Sequence, residues 1–273
     1  MPSMSSIGIF DSGYGGLTIL SEIRSLMPEY NYIYLGDNAR TPYGTRSFDV
    51  VYRFTLESVR QLFSMGCNLV ILACNTASAK ALRTIQQNDL PNIDPKKRVL
   101  GVIRPTAEVI GSMTKSRHVG LFGTEGTISS LSYNIEIDKL HPDIKVTGQA
   151  CPMWVPLIEA GEYNKPGADY FVEEYIRAIL NKDPQIDTLV LGCTHYPLLQ
   201  EKIAKAAKDV TIIAQGDLVA KSLKDYLERH PEYREQLSTN GTCTYLTTEN
   251  ANRFSQSASH FLSAPISAEH IDL

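Results

Sequence analysis

The chain has 273 residues, 43% of them hydrophobic and 21% charged, with a formal net charge of −4 and a pI near 5.9. That apolar content is enough for real cores and excludes disorder as the main description; at roughly 150 residues per domain it predicts about two domains. The mild acidity excludes a dedicated nucleic-acid binder, which carries a basic face and a high pI, and Lys96-Lys97-Arg98 is too short to supply one.

The start, Met1-Pro2-Ser3-Met4-Ser5-Ser6, has neither the basic region nor the apolar stretch of a secretory signal. A strand is predicted at Ile7–Phe10, a helix at Leu17–Leu26, a strand at Tyr32–Leu35 and a helix at Phe48–Met65. Strands follow at Leu69–Ala73, Val99–Val102, Val119–Phe122 and Lys145–Gln149, then a helix at Ala168–Leu180. The last predicted elements are strands Thr188–Leu191 and Thr211–Ile213 and a helix at Leu218–Glu228. This alternation predicts βαβ units and a mostly parallel sheet. Leu69–Ala73 and Thr188–Leu191 are apolar throughout, as strands buried on both faces are. No run reaches the ~20 apolar residues of a membrane-spanning helix. Five cysteines, odd in number and irregularly spaced, read as reduced thiols of a cytoplasmic enzyme. The 231–240 region and the C-terminal tail carry no legible motif.

The most useful feature is an internal repeat. Leu69-Val70-Ile71-Leu72-Ala73-Cys74-Asn75-Thr76 resembles Leu189-Val190-Leu191-Gly192-Cys193-Thr194-His195 when aligned on the cysteine. Ile7-Gly8-Ile9-Phe10-Asp11-Ser12 resembles Val119-Gly120-Leu121-Phe122-Gly123-Thr124 at nearly the same offset, roughly 115 residues. Two strand-plus-turn motifs in the same order predict two similar α/β halves.

Cys74 and Cys193 each follow a buried strand and precede a helix. In open α/β sheets ligands bind at that carboxyl end, and a nearby helix N-terminus favours thiolate over thiol. Cys67, Cys151 and Cys243 lack this placement and read as small buried hydrophobes. Two equivalent thiols facing each other across a cleft could take a proton from one face of a substrate carbon and return one to the other, which inversion of configuration requires. A disulfide is disfavoured by compartment. A metal would want more ligands than Cys193 and His195 supply. A nucleophilic cysteine hydrolase would leave Cys74 unexplained.

Asp11-Ser12-Gly13-Tyr14-Gly15-Gly16 follows the first strand. Its glycines allow a tight turn and close approach to a ligand, and free N–H groups at the next helix could hold a carboxylate. It matches neither the Walker pattern nor the dinucleotide spacing. The Asp11 carboxylate could bind an ammonium or accept a proton, and the Ser12 hydroxyl can serve either partner. Asn75, Thr76, Thr194 and His195 flank the thiols and suit a small zwitterion; His195 could raise the thiolate fraction of Cys193. Thr41-Pro42-Tyr43-Gly44 is by itself a turn.

Together, Asp11-Ser12-Gly13-Tyr14-Gly15-Gly16-Leu17, Gly36-Asp37, Pro42-Tyr43-Gly44, Ala73-Cys74-Asn75-Thr76-Ala77-Ser78 and Leu191-Gly192-Cys193-Thr194-His195-Tyr196-Pro197-Leu198-Leu199 resemble bacterial glutamate racemase, in the aspartate/glutamate racemase superfamily. The resemblance runs from about residue 7 to residue 220, with the motifs in the family's order. It implies interconversion of L- and D-glutamate by two-base proton transfer, without pyridoxal phosphate, metal or nucleotide. It implies Cys74 and Cys193 as the bases and Asp11 and His195 as their assistants. It places Asp11, Ser12, Pro42, Tyr43, Gly44, Asn75, Thr76, Thr194 and His195 on the substrate. Glu159 matches a family carboxylate near the second cysteine, and Thr124 a family threonine in the pocket. D-Glutamate for peptidoglycan is the implied use.

There are departures. Arg104 stands where the family often has an acidic residue, Gly123 where Ala is common, and Ala214-Gln215-Gly216 where many members show an Asp-Ser pair. The expected fold is two similar α/β domains related by a pseudo-twofold, with the active site in the interdomain cleft. Residues 99–209 are expected to form the second domain, inserted into a first domain of 1–98 plus 210–273, so that strand Thr211–Ile213 returns to the first. The expected partner is glutamate, with no nucleic acid, no membrane and no cofactor; a homodimer is left open. Two alternatives stand: racemisation of aspartate or another amino acid by the same thiols, and a non-catalytic acidic amino-acid binding protein, for which the thiol pair would be superfluous.

Overall fold

The computed structural model describes residues 5–262 and 264–273. Among the described residues ten strands run in chain order as β1 (Ile7–Asp11), β2 (Tyr32–Gly36), β3 (Leu69–Leu72), β4 (Arg98–Gly101), β5 (His118–Gly123), β6 (Lys145–Ala150), β7 (Thr188–Gly192), β8 (Thr211–Ile213), β9 (Cys243–Thr247) and β10 (Ala268–His270). They form two sheets, β10-β9-β2-β1-β3-β4 and β6-β5-β7-β8, with the named pairs parallel. Every strand expected from the sequence forms, its ends within one residue of expectation.

The order β2-β1-β3-β4 recurs as β6-β5-β7-β8. The repeat in the sequence is therefore a repeat in space: β1 corresponds to β5, and β3 to β7. Strands β1, β3 and β7 are buried along their whole length, as the near-continuous apolar sequences of β3 and β7 imply. Ile7, Ile9, Leu69 and Ile71 face one core, and Phe10, Val70 and Leu72 the other. Helix Gly16–Leu26 brings Leu17, Leu20 and Ile23 to the first core, and helix Phe48–Ser64 brings Val51, Val59 and Leu62 to the second. Ser47 starts the latter helix by accepting from the Val50 N–H. Each such apolar side chain contributes about 1.5–3 kcal/mol when fully buried.

Two strands lie in the opposite sheet from the one expected. Strand Val99–Val102 was expected to open the second half; β4 instead pairs with β3 in the first sheet. Thr211–Ile213 was expected to return to the first half; β8 pairs with β7 in the second sheet. In both halves the chain crosses over after the fourth strand. Helix Ile103–Met113, following β4, packs on helix Ser132–Leu140 and shares a core with Val119 and Val190. Helix Gly216–Arg229, following β8, packs along Gly16–Leu26 in the core of the first half. Each half thus completes its own four-stranded order and lends its next helix to the other. Strands β9 and β10 then extend the first sheet. Among the described residues no helix is long and apolar enough to cross a membrane. Cys67 and Cys151 are buried as expected, whereas Cys243 on β9 is only half-buried; all five cysteines are free.

Candidate active site

The two halves touch at the carboxyl ends of their central strands, and they do so reciprocally. After β1, Gly15 lies so close to Thr194 and His195 that a Cβ there would sit 2.3 Å from both side chains. The Thr18 hydroxyl donates to the Thr194 carbonyl at 2.9 Å. On the other side, the Thr76 hydroxyl lies 2.9 Å from that of Thr124 and 3.4 Å from that of Thr127. The turn after β1 meets the turn after β7, and the turn after β3 meets the turn after β5, as approximate twofold symmetry requires.

Cys74 follows β3 and caps the short helix Asn75–Lys80, its sulfur accepting from the Ala77 N–H at 3.4 Å. Its Sγ is 3.5 Å from the Ser12 hydroxyl. Burial pushes the Cys74 thiol up to about 12, and the Asp11 carboxylate and Cys193 add to this against hydrogen bonds from Ser12 and Ala77. Asp11 ends β1. Its Oδ2 accepts from the Gly13 N–H at 2.9 Å, and its buried Oδ1 has no partner among the described residues. Burial raises the Asp11 carboxyl above its ordinary value, while the charge of His195 and the N–H groups of Gly16 and Gly13 oppose the rise.

Cys193 follows β7, with its sulfur 3.8 Å from Nδ1 of His195. The Nε2 of His195 lies 3.0 Å from Oε1 of Glu159, which ends helix Trp154–Glu159. Burial alone would lower the imidazole pKa, but hydrogen bonds to Cys193 and Glu159 outweigh it and hold the group at about 10. The two thiols therefore sit in different surroundings: Cys74 faces a carboxylate and a hydroxyl, Cys193 an imidazolium backed by a carboxylate.

Of the residues singled out in the sequence, Asp11, Ser12, Cys74, Asn75, Thr76, Thr124, Glu159, Cys193, Thr194 and His195 converge here. The Pro42-Tyr43-Gly44 turn borders them differently. Gly44 lies against Thr124, a Cβ there meeting it at 2.8 Å, and its carbonyl accepts from Gly126 at 2.7 Å. The Tyr43 ring is buried in the core of the first half and its hydroxyl donates to Asp37. Its side chain is thus spent on the scaffold, and only its main chain is left for a ligand. Pro42, after a cis peptide bond, is exposed.

Several contributors were not assigned roles from the sequence. Asp37 is fully buried and fastens the loop by accepting from Tyr43, from Arg40 at 2.6 Å and from Thr248 at 2.9 Å. Its place after β2 in Gly36-Asp37 was the available signal. Phe261 sets its ring edge-on against His195, with centroids 5.4 Å apart, and stacks on Tyr14; nothing in the tail announces this. The departures lie around the site. Arg104 is in an exposed ion-pair group with Glu108 and Glu136. Gly123 accommodates Thr127 and Ile128, each 3.2 Å from where a Cβ would be. A cavity of about 590 Å³ is lined by Lys80, Arg83, Arg104, Glu136 and Arg229 and holds neither thiol. Among the described residues no group of three or more His, Cys, Asp or Glu side chains is arranged to hold a metal ion.

A family model described as Asp/Glu/hydantoin racemase matches residues 18–223 of this chain. The glutamate racemase of Ruegeria sp. (strain TM1040) is 41% identical over 275 residues, covering 97% of this chain and 99% of that protein. The crystal structure of glutamate racemase isoform RacE1 from Bacillus anthracis superposes with a TM-score of 0.89 at 35% identity, covering 98% of each chain. That of glutamate racemase from Francisella tularensis in complex with D-glutamate gives 0.87 at 31% identity, covering 98% of this chain and 97% of that one.

Proposed function

The chain belongs to the Asp/Glu/hydantoin racemase family, and from that premise we propose that it interconverts L- and D-glutamate by passing an α-proton between Cys74 and Cys193. The observation that carries this is the matched placement of two thiols after the equivalent central strands β3 and β7, with polar partners at both.

Burial keeps Cys74 a neutral thiol near pH 7, hence a proton donor. His195, held charged past neutrality, can stabilise a thiolate at Cys193 with a charge-assisted hydrogen bond. The Cys193 thiolate then removes the α-proton of the enantiomer that presents it, and Cys74 delivers a proton to the opposite face of the carbon. Afterwards Cys74 is the thiolate and Cys193 the thiol, the pair the mirror-image substrate needs. Glu159 keeps His195 oriented and charged. The free Oδ1 of Asp11 accepts from the substrate ammonium. Ser12, Asn75, Thr76, Thr124 and Thr194 offer neutral donors to the two carboxylates, and Pro42, Tyr43 and Gly44 border the site through their main chain.

The α-proton of an amino acid is very weakly acidic. Fixed donors and excluded water are therefore what the site supplies to the carbanion-like transition state. On this reading residues of both halves close over one substrate molecule, no cofactor is used, and the D-glutamate formed in the cytoplasm supplies peptidoglycan. The test is incubation with L-glutamate, and separately D-glutamate, in heavy water. NMR follows loss of the α-hydrogen signal and circular dichroism follows optical sign. Exchange with inversion from both enantiomers is expected. No exchange from either, in folded and reduced protein, would move the assignment to another amino acid or to a binding role.

A further inference from the structure

A chain of buried side-chain hydrogen bonds runs from the joint between the halves to Asn75. The backbone crosses from the first half to the second through Val102, just after β4, and back through Ala214 and Gln215, just after β8. Gln215 ties the two crossings together. Its Nε2 lies 3.1 Å from the Val102 carbonyl, 2.8 Å from the Thr106 hydroxyl and 2.6 Å from the Tyr133 hydroxyl. Its Oε1 accepts from Asn75 Nδ2 at 2.7 Å, and the Tyr133 hydroxyl donates to Asn75 Oδ1 at 2.5 Å. Gln215 and Asn75 are each 2% exposed and Tyr133 is fully buried, so the network is closed to bulk solvent.

The direction of each bond follows from the first. A backbone carbonyl only accepts, so the amide nitrogen of Gln215 must face Val102 and its oxygen must face Asn75. Asn75 then has to offer nitrogen to Gln215 and oxygen to Tyr133. The Tyr133 proton goes to Asn75, which leaves the hydroxyl oxygen to accept from Gln215. A peptide carbonyl at the joint thus dictates which way round the amide beside Cys74 is held. Gln215 is also one of the positions where the sequence departs from the family pattern.

We infer that Gln215 is a positioning residue for this reaction, acting through Asn75: with Tyr133 it makes the orientation of a substrate-binding amide depend on the joint between the halves. The inference rests on the proposed assignment of Asn75 to the substrate. Without Gln215 the Asn75 amide can turn over, and a turned amide offers oxygen where a substrate carboxylate needs an N–H.

The experiment is a double-mutant cycle with Gln215→Leu, Asn75→Ala and the double variant, measuring KM and kcat for both glutamate enantiomers by circular dichroism. Gln215→Leu is expected to raise KM roughly five- to tenfold, with kcat changed less than about threefold, as loss of one oriented hydrogen bond does. In the Asn75→Ala background the same change should cost nothing further, because the residue it acts through is gone. An unchanged KM in Gln215→Leu, or an equal rise in both backgrounds, overturns the inference. If Asn75→Ala itself leaves KM unchanged, the substrate assignment of Asn75 falls first and takes the inference with it. Thermal melts check folding. Should Gln215→Leu not fold, Tyr133→Phe replaces it, removing one proton from the same relay, with the same expectation and the same refuting outcomes.

Discussion

A serine hydroxyl is a far poorer base than a thiolate, so each thiol can be questioned separately. Cys74→Ser is expected to bind glutamate with KM within a few-fold of the parent and to lose roughly 100- to 10,000-fold in kcat, the usual worth of a positioned acid or base. Steady-state kinetics by circular dichroism measures this, and a variant turning over at the parent rate would end the two-thiol mechanism. His195 contributes one part of the pH dependence. Its pKa is raised from 6.5 to about 10, so between those values the folded protein holds a proton that the unfolded chain has lost. The stabilisation is complete below about pH 6.5, declines as pH rises, and is gone above about pH 10. Glu159→Gln removes one of the two groups that hold the imidazole charged. The alkaline limb of the kcat/KM profile should therefore move to lower pH; a limb that stays in place would free Glu159 of this role. Gly15→Ala tests the contact between the turns. Its methyl would lie 2.3 Å from the Thr194 and His195 side chains, so these buried site residues must shift and activity should fall at least tenfold in assays at saturating glutamate.

Elements were legible in proportion to how fully their sequence reports burial. β1, β3, β5 and β7 are central strands, and the double burial that stabilises them also made them readable. β9 was missed because Cys243-Thr244-Tyr245-Leu246-Thr247 mixes polar and apolar residues and buries only its last three; β10 is a three-residue edge strand. Helix Ile103–Met113 begins Ile103-Arg104-Pro105, where Pro in the first turn is tolerated but reads as a break. Which sheet β4 and β8 join could not be read at all, because a strand's pattern reports its faces and not its neighbours. The site followed the same division. Residues inside the repeated strand-turn motifs stood out, while Gln215, Tyr133 and Phe261 act through contacts between distant elements. Phe261 supports His195 from the segment after helix Ala251–Ala258. Phe261→Ala should lower stability by about 1–3 kcal/mol and reduce kcat. Urea unfolding alongside activity measures both, and a stable, fully active variant would show the tail to be a bystander.

At the scale of the whole molecule, the proposed substrate position engages residues of both halves, with Ser12 and Asn75 from the first and Thr124 and Thr194 from the second. Binding should then stabilise the two together. D-Glutamate at about 100 times its Kd adds about 2.7 kcal/mol, which for a chain of this size corresponds to several degrees of Tm in one unfolding transition. Calorimetry with and without D-glutamate reads this directly; two transitions with only one displaced would show that the ligand belongs to one half alone.

The exchange of helices between the halves also has a consequence for how the chain is made. Gly16–Leu26 leaves the ribosome early, but the helix that covers it, Gly216–Arg229, follows about 190 residues later; at roughly 5–20 residues per second that is a wait of about 10–40 s. Throughout that time the nascent first half displays an apolar groove with its natural cover still untranslated. The covering helix must come from its own carboxyl-terminal segment or be taken from another polypeptide, so a ribosome stalled between residues 26 and 216 would hold a chain both sticky and unable to finish folding. The arrangement that joins the halves in the finished enzyme thus leaves part of the growing chain's apolar surface uncovered until translation is nearly complete.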